Sequence, residues 1–158
     1  AEFYAALSEQ REETLLEYRS ELQTASLADL LLASRQKDFV NEHTTSGIHR
    51  DDVLFTIGEH PLRKFGSQGQ QKSFLIALKL AEYRLLAEQS GDRPILLLDD
   101  LFDKLDMRRV AELLRLVGGD MFGQIMITDC NKHRLQRTLS EAGVEYRLFH
   151  ISEGKASL

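Results

Sequence analysis

The sequence has little of what several classes of protein require. It contains one cysteine, Cys130, so no disulfide can form within the chain and a reducing compartment is expected. No apolar run approaches the roughly 18 residues that a membrane-spanning helix needs. Its five histidines lack the paired spacing of a zinc site. These absences predict a cytoplasmic protein with no membrane span, structural disulfide or zinc site.

An excess of positive charge is also missing. The formal net charge of the 158 residues is −5, which argues against a strongly basic nucleic-acid module. Residues 1–46 carry four Lys/Arg and nine Asp/Glu, whereas residues 47–158 carry sixteen of each. Any DNA-binding surface must therefore be a local patch or lie outside this sequence. The length fits one domain, or one and a fraction.

Residues 95–100 read Ile-Leu-Leu-Leu-Asp-Asp. Four aliphatic residues without polar alternation predict a strand over 95–99 that is buried on both faces, as in a parallel sheet. Asp99 and Asp100 then fall at the carboxyl end of that strand, where open α/β sheets bind ligands. An acidic pair there can hold Mg²⁺ and orient a water molecule against a phosphate. The alternative is two solvated aspartates that open a loop.

The segment Phe65-Gly66-Ser67-Gln68-Gly69-Gln70-Gln71 precedes a long helical stretch. Ser67 and Gln70 have the spacing of a capping box, so a helix is predicted from Ser67 to about Gln89. Gly69 in the first turn lets another group approach the backbone closely. A hydroxyl, free amides and the positive end of a helix dipole form an anion site. The alternative is an ordinary capped helix.

The remaining pattern gives the fold class. Residues Phe74, Leu78, Ala81 and Leu85 form the predicted buried stripe of the long helix. The other predicted helices cover residues 3–13, 26–40 and 107–117, and a further helix ends at Ala142. The other predicted strands cover residues 15–18, 53–57, 62–65, 124–128 and 144–151. The order strand–helix–strand–helix–strand from residue 95 onward predicts an α/β fold with a mostly parallel sheet flanked by helices.

The two polar segments together resemble ABC-type ATPases. Ser67-Gln68-Gly69-Gln70 is similar to the signature motif, and Asp99-Asp100 is similar to the Walker B pair. Asp106, with Leu105 before it, lies seven positions after Asp99 and matches the D-loop aspartate.

The RecF family of bacterial DNA replication and repair proteins is more similar still. Its members carry Ser-Gln-Gly-Gln-Gln, Asp-Asp and an upstream Gly-Pro-His-Arg-Asp-Asp, and residues 47–52 here read Gly-Ile-His-Arg-Asp-Asp. The resemblance covers about residues 15–150 and is strongest over 47–106.

The P-loop of such ATPases is missing from this sequence. A P-loop needs Gly-x-x-x-x-Gly-Lys-Ser/Thr, and the only Gly-Lys pair, Gly154-Lys155, is followed by Ala156. The resemblance therefore implies the C-terminal portion of a longer protein. Residues 1–46 would be a remnant of the helical lobe, and residues 47–158 the C-terminal half of the ABC-type head. The longer protein is expected to be a slow DNA-dependent ATPase, and this portion alone is expected to be inactive.

The resemblance also implies roles for single residues. Asp99 would bind Mg²⁺, and Asp100 would orient the attacking water or accept its proton. The signature residues 67–70 would contact the γ-phosphate of an ATP bound by the opposite subunit, which implies a head-to-tail homodimer with Asp106 at its seam. Thr128-Asp129 stands where many ABC ATPases carry a switch histidine, and it either contacts nucleotide or metal or merely begins a loop.

The sequence does not decide the roles of three basic residues. His49 and Arg50 either reach a phosphate or DNA or pair with Asp51 and Asp52, and Lys72 faces either nucleotide or solvent.

The resemblance implies ATP and Mg²⁺ as cofactors. It implies DNA, at single-strand gaps or duplex junctions, and recombination mediator proteins as partners, in DNA replication, recombination, repair and the SOS response.

Two alternatives from other classes remain. The first is a receiver-like phosphoacceptor domain, but that fold has its acidic pair near its start, whereas about 95 residues precede Asp99 here, and it leaves residues 67–71 unexplained. The second is a non-catalytic interaction module.

Overall fold

The computed structural model describes residues 1–9, 12–100 and 105–157 and divides the chain into two compact units. One unit is Glu13–Gly66, and the other combines Glu2–Glu12 with Ser67–Leu158. This division differs from the expected boundary between residues 46 and 47. The reason is strand pairing, because residues 52–57 form a sheet with residues 14–19 and therefore stay with the N-terminal segment.

The Glu13–Gly66 unit contains a three-stranded antiparallel sheet. Strands β1 (Thr14–Arg19), β2 (Asp52–Ile57) and β3 (His60–Pro61) lie in that order, which confirms the strands predicted at 15–18 and 53–57. The return strand predicted over 62–65 is wrong, because Leu62–Phe65 is a short helix, α3. Proline has no N–H for a strand ladder and its fixed φ favours the start of a helix, so the strand ends at Pro61.

Helix α2 (Leu27–Asn41) belongs to the same unit. The Ser26 hydroxyl oxygen accepts a hydrogen bond of 3.2 Å from the Asp29 amide, which confirms the predicted start of this helix. Two single 3₁₀ turns, Glu21–Gln23 and Ile48–Arg50, complete the unit's helical segments among the described residues.

Helix α1 (Glu2–Ser8) opens the other unit and packs against helices α4 (Gln68–Ser90) and α5 (Met107–Val117). It is shorter than the predicted helix over 3–13, because Glu9 has a left-handed φ of 54°; positions 10 and 11 of that prediction lie outside the described residues. Helix α4 ends at Gly91, whose φ is 75°, as the glycine there predicts.

The predicted buried stripe of α4 is wrong in part. The buried residues are Ser73, Ala77, Leu80 and Tyr83, whereas Leu78 and Leu85 of the predicted stripe are 37% and 56% exposed. Both faces of α4 carry apolar residues, so periodicity alone does not distinguish them. Of the predicted stripe, Phe74 and Ala81 are half-buried, and Phe74 packs against Tyr4 of α1 with ring centroids 5.6 Å apart.

Strands β4 (Leu96–Leu98) and β5 (Ile125–Ile127) form a parallel pair, and helix α6 (Lys132–Ala142) packs on α5. The core of this unit consists of apolar side chains from its helices and from the segments before α5 and β5, namely Phe3, Tyr4, Leu7, Ala77, Leu80, Tyr83, Leu105, Val110, Leu113, Leu114, Val117, Phe122, Leu135 and Leu139. The parallel pair with its helices agrees with the predicted α/β class.

Two details of the predicted sheet are wrong. Burial on both faces fails for the described strands, since Leu97 is 69% and Met126 48% exposed. The strand predicted over 144–151 is wrong for most of its length, because residues 144–149 form no strand; residues 150 and 151 belong to β6 (His150–Ser152), which pairs with β7 (Lys155–Ser157) in an antiparallel hairpin. Glu153 and Gly154 both have positive φ, the geometry of a tight hairpin turn, so residues around 151 pair locally and do not join the β4–β5 sheet.

No helix among the described residues is both long and apolar enough to cross a membrane.

Candidate functional site

The N-terminus of α4 presents an exposed hydroxyl. The Ser67 hydroxyl oxygen accepts a hydrogen bond of 3.2 Å from the Gln70 amide, and the Gln70 side-chain oxygen accepts one of 2.8 Å from the Ser67 amide. This is the predicted capping box. Because Ser67 only accepts in this cap, its O–H remains able to donate. Ser67 and Gln68 are exposed, so a phosphate could meet this hydroxyl and the positive end of the helix.

Both polar atoms of the Gln70 side-chain amide form hydrogen bonds within the chain. Its oxygen closes the capping box, and its nitrogen donates to Glu12 Oε1 at 2.8 Å. Gln70 therefore shapes the loop at Ser67 through internal bonds, and its direct contact with nucleotide stays a prediction.

Glu12 links this helix end to the rest of the unit. Its carboxylate accepts hydrogen bonds from the Tyr4 hydroxyl and from Gln70, and it lies 3.6 Å from the Arg109 guanidinium. The side chains of Glu12 and Arg109 are only 22% and 19% exposed. Burial raises the pKa of Tyr4 above its ordinary range, and the hydrogen bond with Glu12 raises it further.

Arg109 connects two helix starts. Its Nη1 donates to Ser73 Oγ at 2.9 Å, and Ser73 in turn donates to the carbonyl of Gly69 at 2.8 Å. Its Nε lies 3.5 Å from Asp106 Oδ2. We call the set Tyr4, Glu12, Gln70, Ser73, Asp106 and Arg109 the polar network.

Asp106 is the N-cap of α5, because its Oδ1 accepts a hydrogen bond of 2.9 Å from the Arg109 amide. Its capping role is therefore confirmed. A place at a dimer seam is compatible with that role, since the side chain is 63% exposed.

The ends of β4 and β5 bring a second pair together. The Thr128 amide donates to the Leu98 carbonyl at 2.9 Å, and the Thr128 hydroxyl donates to Asp99 Oδ1. We call Asp99 and Thr128 the strand-end pair. Carboxylate and hydroxyl oxygens suit Mg²⁺, which proteins often bind through one or two carboxylates with water and substrate phosphates. Asp99 and Thr128 therefore fit a magnesium ion.

Asp100 lies beyond the strand, and its φ of 48° is left-handed. Asp99 also lies beyond the strand, since β4 ends at Leu98. Aspartate tolerates this left-handed conformation better than most residues do. The backbone therefore turns at Asp100, directly after Asp99. Asp100 is exposed.

Asp129 follows Thr128 and opens the loop before α6. Its Oδ1 accepts a hydrogen bond of 2.7 Å from the Asn131 amide, and Asn131 caps α6. Its Oδ2 is buried and has no hydrogen-bond partner in the described part of the chain. The structure thus supports the loop-start role of Asp129.

The polar network and the strand-end pair are bonded separately, because no hydrogen bond or ion pair between described residues joins them. Lys72 is half-buried and lines, with Asp99, a groove between α4 and β4. Lys79 of α4 lines the same groove, so two lysines of this helix border it. Sequence reasoning missed Glu12, Tyr4, Ser73 and Arg109, for which a single sequence gives no local signal.

The Gly-Ile-His-Arg-Asp-Asp segment lies in the Glu13–Gly66 unit. Asp51 accepts a hydrogen bond from Tyr18, and hydrogen bonds from Ser20 and Tyr18 lower the pKa of Asp51. A His49 ring nitrogen lies 3.0 Å from the Thr44 carbonyl. Arg50 is exposed and forms no ion pair with a described residue. The alternative in which Arg50 pairs with its neighbouring aspartates is therefore not observed.

Searches with family models found no match. Curated relatives named DNA replication and repair protein RecF match nearly the whole chain. The protein from Bacteroides thetaiotaomicron is 43% identical over 152 residues, which are 96% of this chain and 41% of the relative. The protein from Azobacteroides pseudotrichonymphae is 46% identical over 153 residues, 97% of this chain and 42% of the relative. The chain thus spans about two fifths of the length of these relatives.

Solved structures give the same picture. A structure of the recombination mediator protein RecF-ATPrS in the RecFOR pathway matches 98% of this chain and 41% of its own, with a TM-score of 0.66 and 25% identity. A structure of RecF-ATP in that pathway matches 83% of this chain and 37% of its own, with a TM-score of 0.64 and 28% identity. The predicted fold class and the resemblance to RecF are confirmed.

Proposed function

We propose that this chain, which is homologous to the RecF proteins over nearly all of its length, supplies the signature, Walker B and D-loop segments of an ATP-dependent DNA-binding ATPase. The observation that carries the proposal is the exposed, capped N-terminus of α4, held through Arg109 to Asp106. The relatives extend well beyond the matched part. By "the whole protein" we mean a RecF protein of their length that contains this sequence.

Ser67 and the first turn of α4 act on a nucleotide that the opposite subunit holds. The hydroxyl of Ser67 and the N–H groups at residues 68–70 offer donors and a positive dipole end to the γ-phosphate. A nucleotide held between two subunits makes the homodimer depend on ATP, because the phosphate completes the contact. Hydrolysis removes that phosphate and releases the dimer.

The acidic pair performs the metal and water chemistry. Asp99 binds Mg²⁺ through its carboxylate, and the Thr128 hydroxyl holds that carboxylate in place. Asp100 orients the attacking water or accepts its proton. When bound, Mg²⁺ neutralises the charge that develops on the phosphate oxygens. Lys72, which lines the groove beside Asp99, adds positive charge near the same position.

The setting of this activity is DNA replication and recombinational repair in the cytoplasm. Support comes from the relatives, which are named DNA replication and repair proteins or recombination mediator proteins of the RecFOR pathway. DNA at single-strand gaps or duplex junctions and recombination mediator proteins are the partners of the whole protein. Because the net charge of this chain is −5, its share of the DNA surface is a local patch that includes the exposed Arg50.

The alternatives explain fewer observations. A receiver-like domain gives no role to the capped segment at Ser67 or to its bonds with Glu12 and Arg109. A non-catalytic module gives no reason for an acidic pair beside a hydroxyl donor at the strand ends.

Sedimentation of the whole protein tests the proposal. Dimers are expected with ATP and Mg²⁺, monomers without ATP, and persistent dimers when a non-hydrolysable ATP analogue and duplex DNA are present. A protein that stays monomeric in every condition, while still binding ATP, would contradict the proposal.

A further inference from the structure

Two half-buried charged residues with no role in the proposed chemistry lie between the N-termini of α4 and α5. Glu12 follows α1, and Arg109 is in the first turn of α5. The Glu12 carboxylate takes hydrogen bonds from two side chains and faces Arg109 at 3.6 Å. The side chains of Glu12 and Arg109 are 22% and 19% exposed, so burying their charges costs free energy of desolvation. Removing one partner would leave the other charge buried without compensation and destabilise the fold. The pair is therefore expected to keep its neighbours in a fixed geometry.

The bonds of this pair lead to two different functional segments. From Glu12 a hydrogen bond of 2.8 Å leads to Gln70, which closes the capping box at Ser67. From Arg109 one route reaches Asp106 at 3.5 Å, and another reaches the Gly69 carbonyl through Ser73. The two segments therefore cannot shift independently unless one of these bonds breaks.

We propose that Glu12 and Arg109 are positioning residues that hold the signature segment and Asp106 in one fixed geometry for assembly on nucleotide. The inference rests on the proposed function, since it assigns these residues to the ATP-dependent contact. Neither residue touches nucleotide. They act through Gln70, Ser73 and Asp106, and in their absence the signature segment and Asp106 each fluctuate separately.

Hydrogen exchange in the whole protein without nucleotide tests the positioning role. Glu12→Gln keeps the shape of the side chain and removes its charge, and Arg109→Met keeps the aliphatic stem. Each variant is expected to speed exchange of the capped amides at both positions 70 and 109. Glu12→Gln is the stricter test, because Glu12 bonds directly to the signature segment and reaches Asp106 only through Arg109. Glu2→Gln is the matched control, because it removes a carboxylate from the ion pair with Arg84 that also joins α1 to α4, and it is expected to leave both amides unchanged.

Sedimentation with ATP tests the functional consequence in the same variants. Each single variant is expected to weaken ATP-induced dimerisation about tenfold, within the usual range of coupling between sites, with unchanged ATP binding by the monomer. The double variant is expected to be no weaker than the poorer single variant, because both residues act through one network.

The failures can be told apart. If the unmodified protein does not dimerise with ATP, the proposed function fails and the inference fails with it. If the unmodified protein dimerises but the variants exchange and dimerise like Glu2→Gln, or if the double variant shows the sum of two independent losses, the positioning role is wrong while the proposed function stands.

Discussion

The Thr128 hydroxyl donates a hydrogen bond to Oδ1 of Asp99, and this bond joins the carboxyl ends of the two parallel strands. Thr128→Val keeps the shape of the side chain and removes the donor. We expect the Mg²⁺ concentration for half-maximal ATP hydrolysis by the whole protein to rise about tenfold, the low end of the effect of losing a partner of a metal ligand.

A matched control for this variant exists in the other unit. The Thr45 hydroxyl donates to Asp38 Oδ1 at 2.6 Å, so Thr45→Val removes the same kind of bond far from the acidic pair in sequence. This control is expected to leave the Mg²⁺ requirement unchanged. Equal requirements in both variants would mean that Thr128 does not hold a metal ligand.

Asp100→Asn tests the group that acts on water. The left-handed φ of 48° at this position is tolerated by asparagine as well as by aspartate, so the backbone should keep its turn. ATP binding by the whole protein is expected to persist, whereas hydrolysis slows by a factor of about 10² or more and dimers persist on DNA. Asp92→Asn, at an exposed carboxylate before β4, is the control, and hydrolysis at the normal rate in Asp100→Asn would rule out the assigned role.

The 158-residue chain alone is expected to show no ATP hydrolysis. The cradle that binds the phosphates in P-loop ATPases supplies most of the binding and charge stabilisation, and its motif is absent from this sequence. A phosphate-release assay on the purified chain checks this expectation, with Asp100→Asn as background. Turnover that requires both Mg²⁺ and Asp100 would contradict it.

Tyr4 gives a prediction for alkaline pH. Burial and the hydrogen bond with Glu12 raise the pKa of Tyr4, so its contribution to stability is fully present below the ordinary tyrosine pKa of about 10. That contribution is lost as the pH rises above that value through the raised pKa. Ultraviolet titration should show two tyrosines ionising late, Tyr4 and also Tyr18, whose pKa is raised by its hydrogen bond with Asp51. Tyr4→Phe should remove one of the two late steps, and Glu12→Gln should move that step to lower pH; a titration that Tyr4→Phe leaves unchanged would contradict the assignment to Tyr4.

Local signals in the sequence predicted the parts of the site that depend on neighbouring residues. The capping box of Ser67 and Gln70, the cap at Asp106 and the ends of α4 at Gly91 and α6 at Gly143 each follow from residues within one helical turn. Parallel pairing of β4 and β5 also follows from sequence order, and it explains why Asp99 and Thr128 meet.

Features set by distant contacts were not predictable. Gln70 bonds to Glu12 across 58 positions of the chain, and a glutamate gives no sign of such a partner. The buried face of α4 was misassigned in part because both faces of this helix carry apolar residues, and residues of α1 and α5 distant in sequence decide which of them are covered. The residues near 151 formed a hairpin because the turn at Glu153-Gly154 offered a nearer partner than the parallel sheet.

Ser67 tests the central claim most directly, because the claim places its hydroxyl against a nucleotide held by another subunit. Ser67→Arg puts bulk at that contact and leaves the remainder of the ATP site untouched. Cap loss alone costs about 0.5–2 kcal/mol of stability, and Ser26→Arg, which removes the equivalent cap of α2, is the matched control for that cost.

The decisive measurement is sedimentation of the whole protein with and without ATP, alongside a melting curve for each variant. The account predicts that Ser67→Arg is folded, binds ATP and remains monomeric, whereas Ser26→Arg still dimerises when ATP is added. A well-folded Ser67→Arg protein that dimerises with ATP would mean that Ser67 is only a helix cap, and the assignment of this segment as an ATPase signature would be wrong.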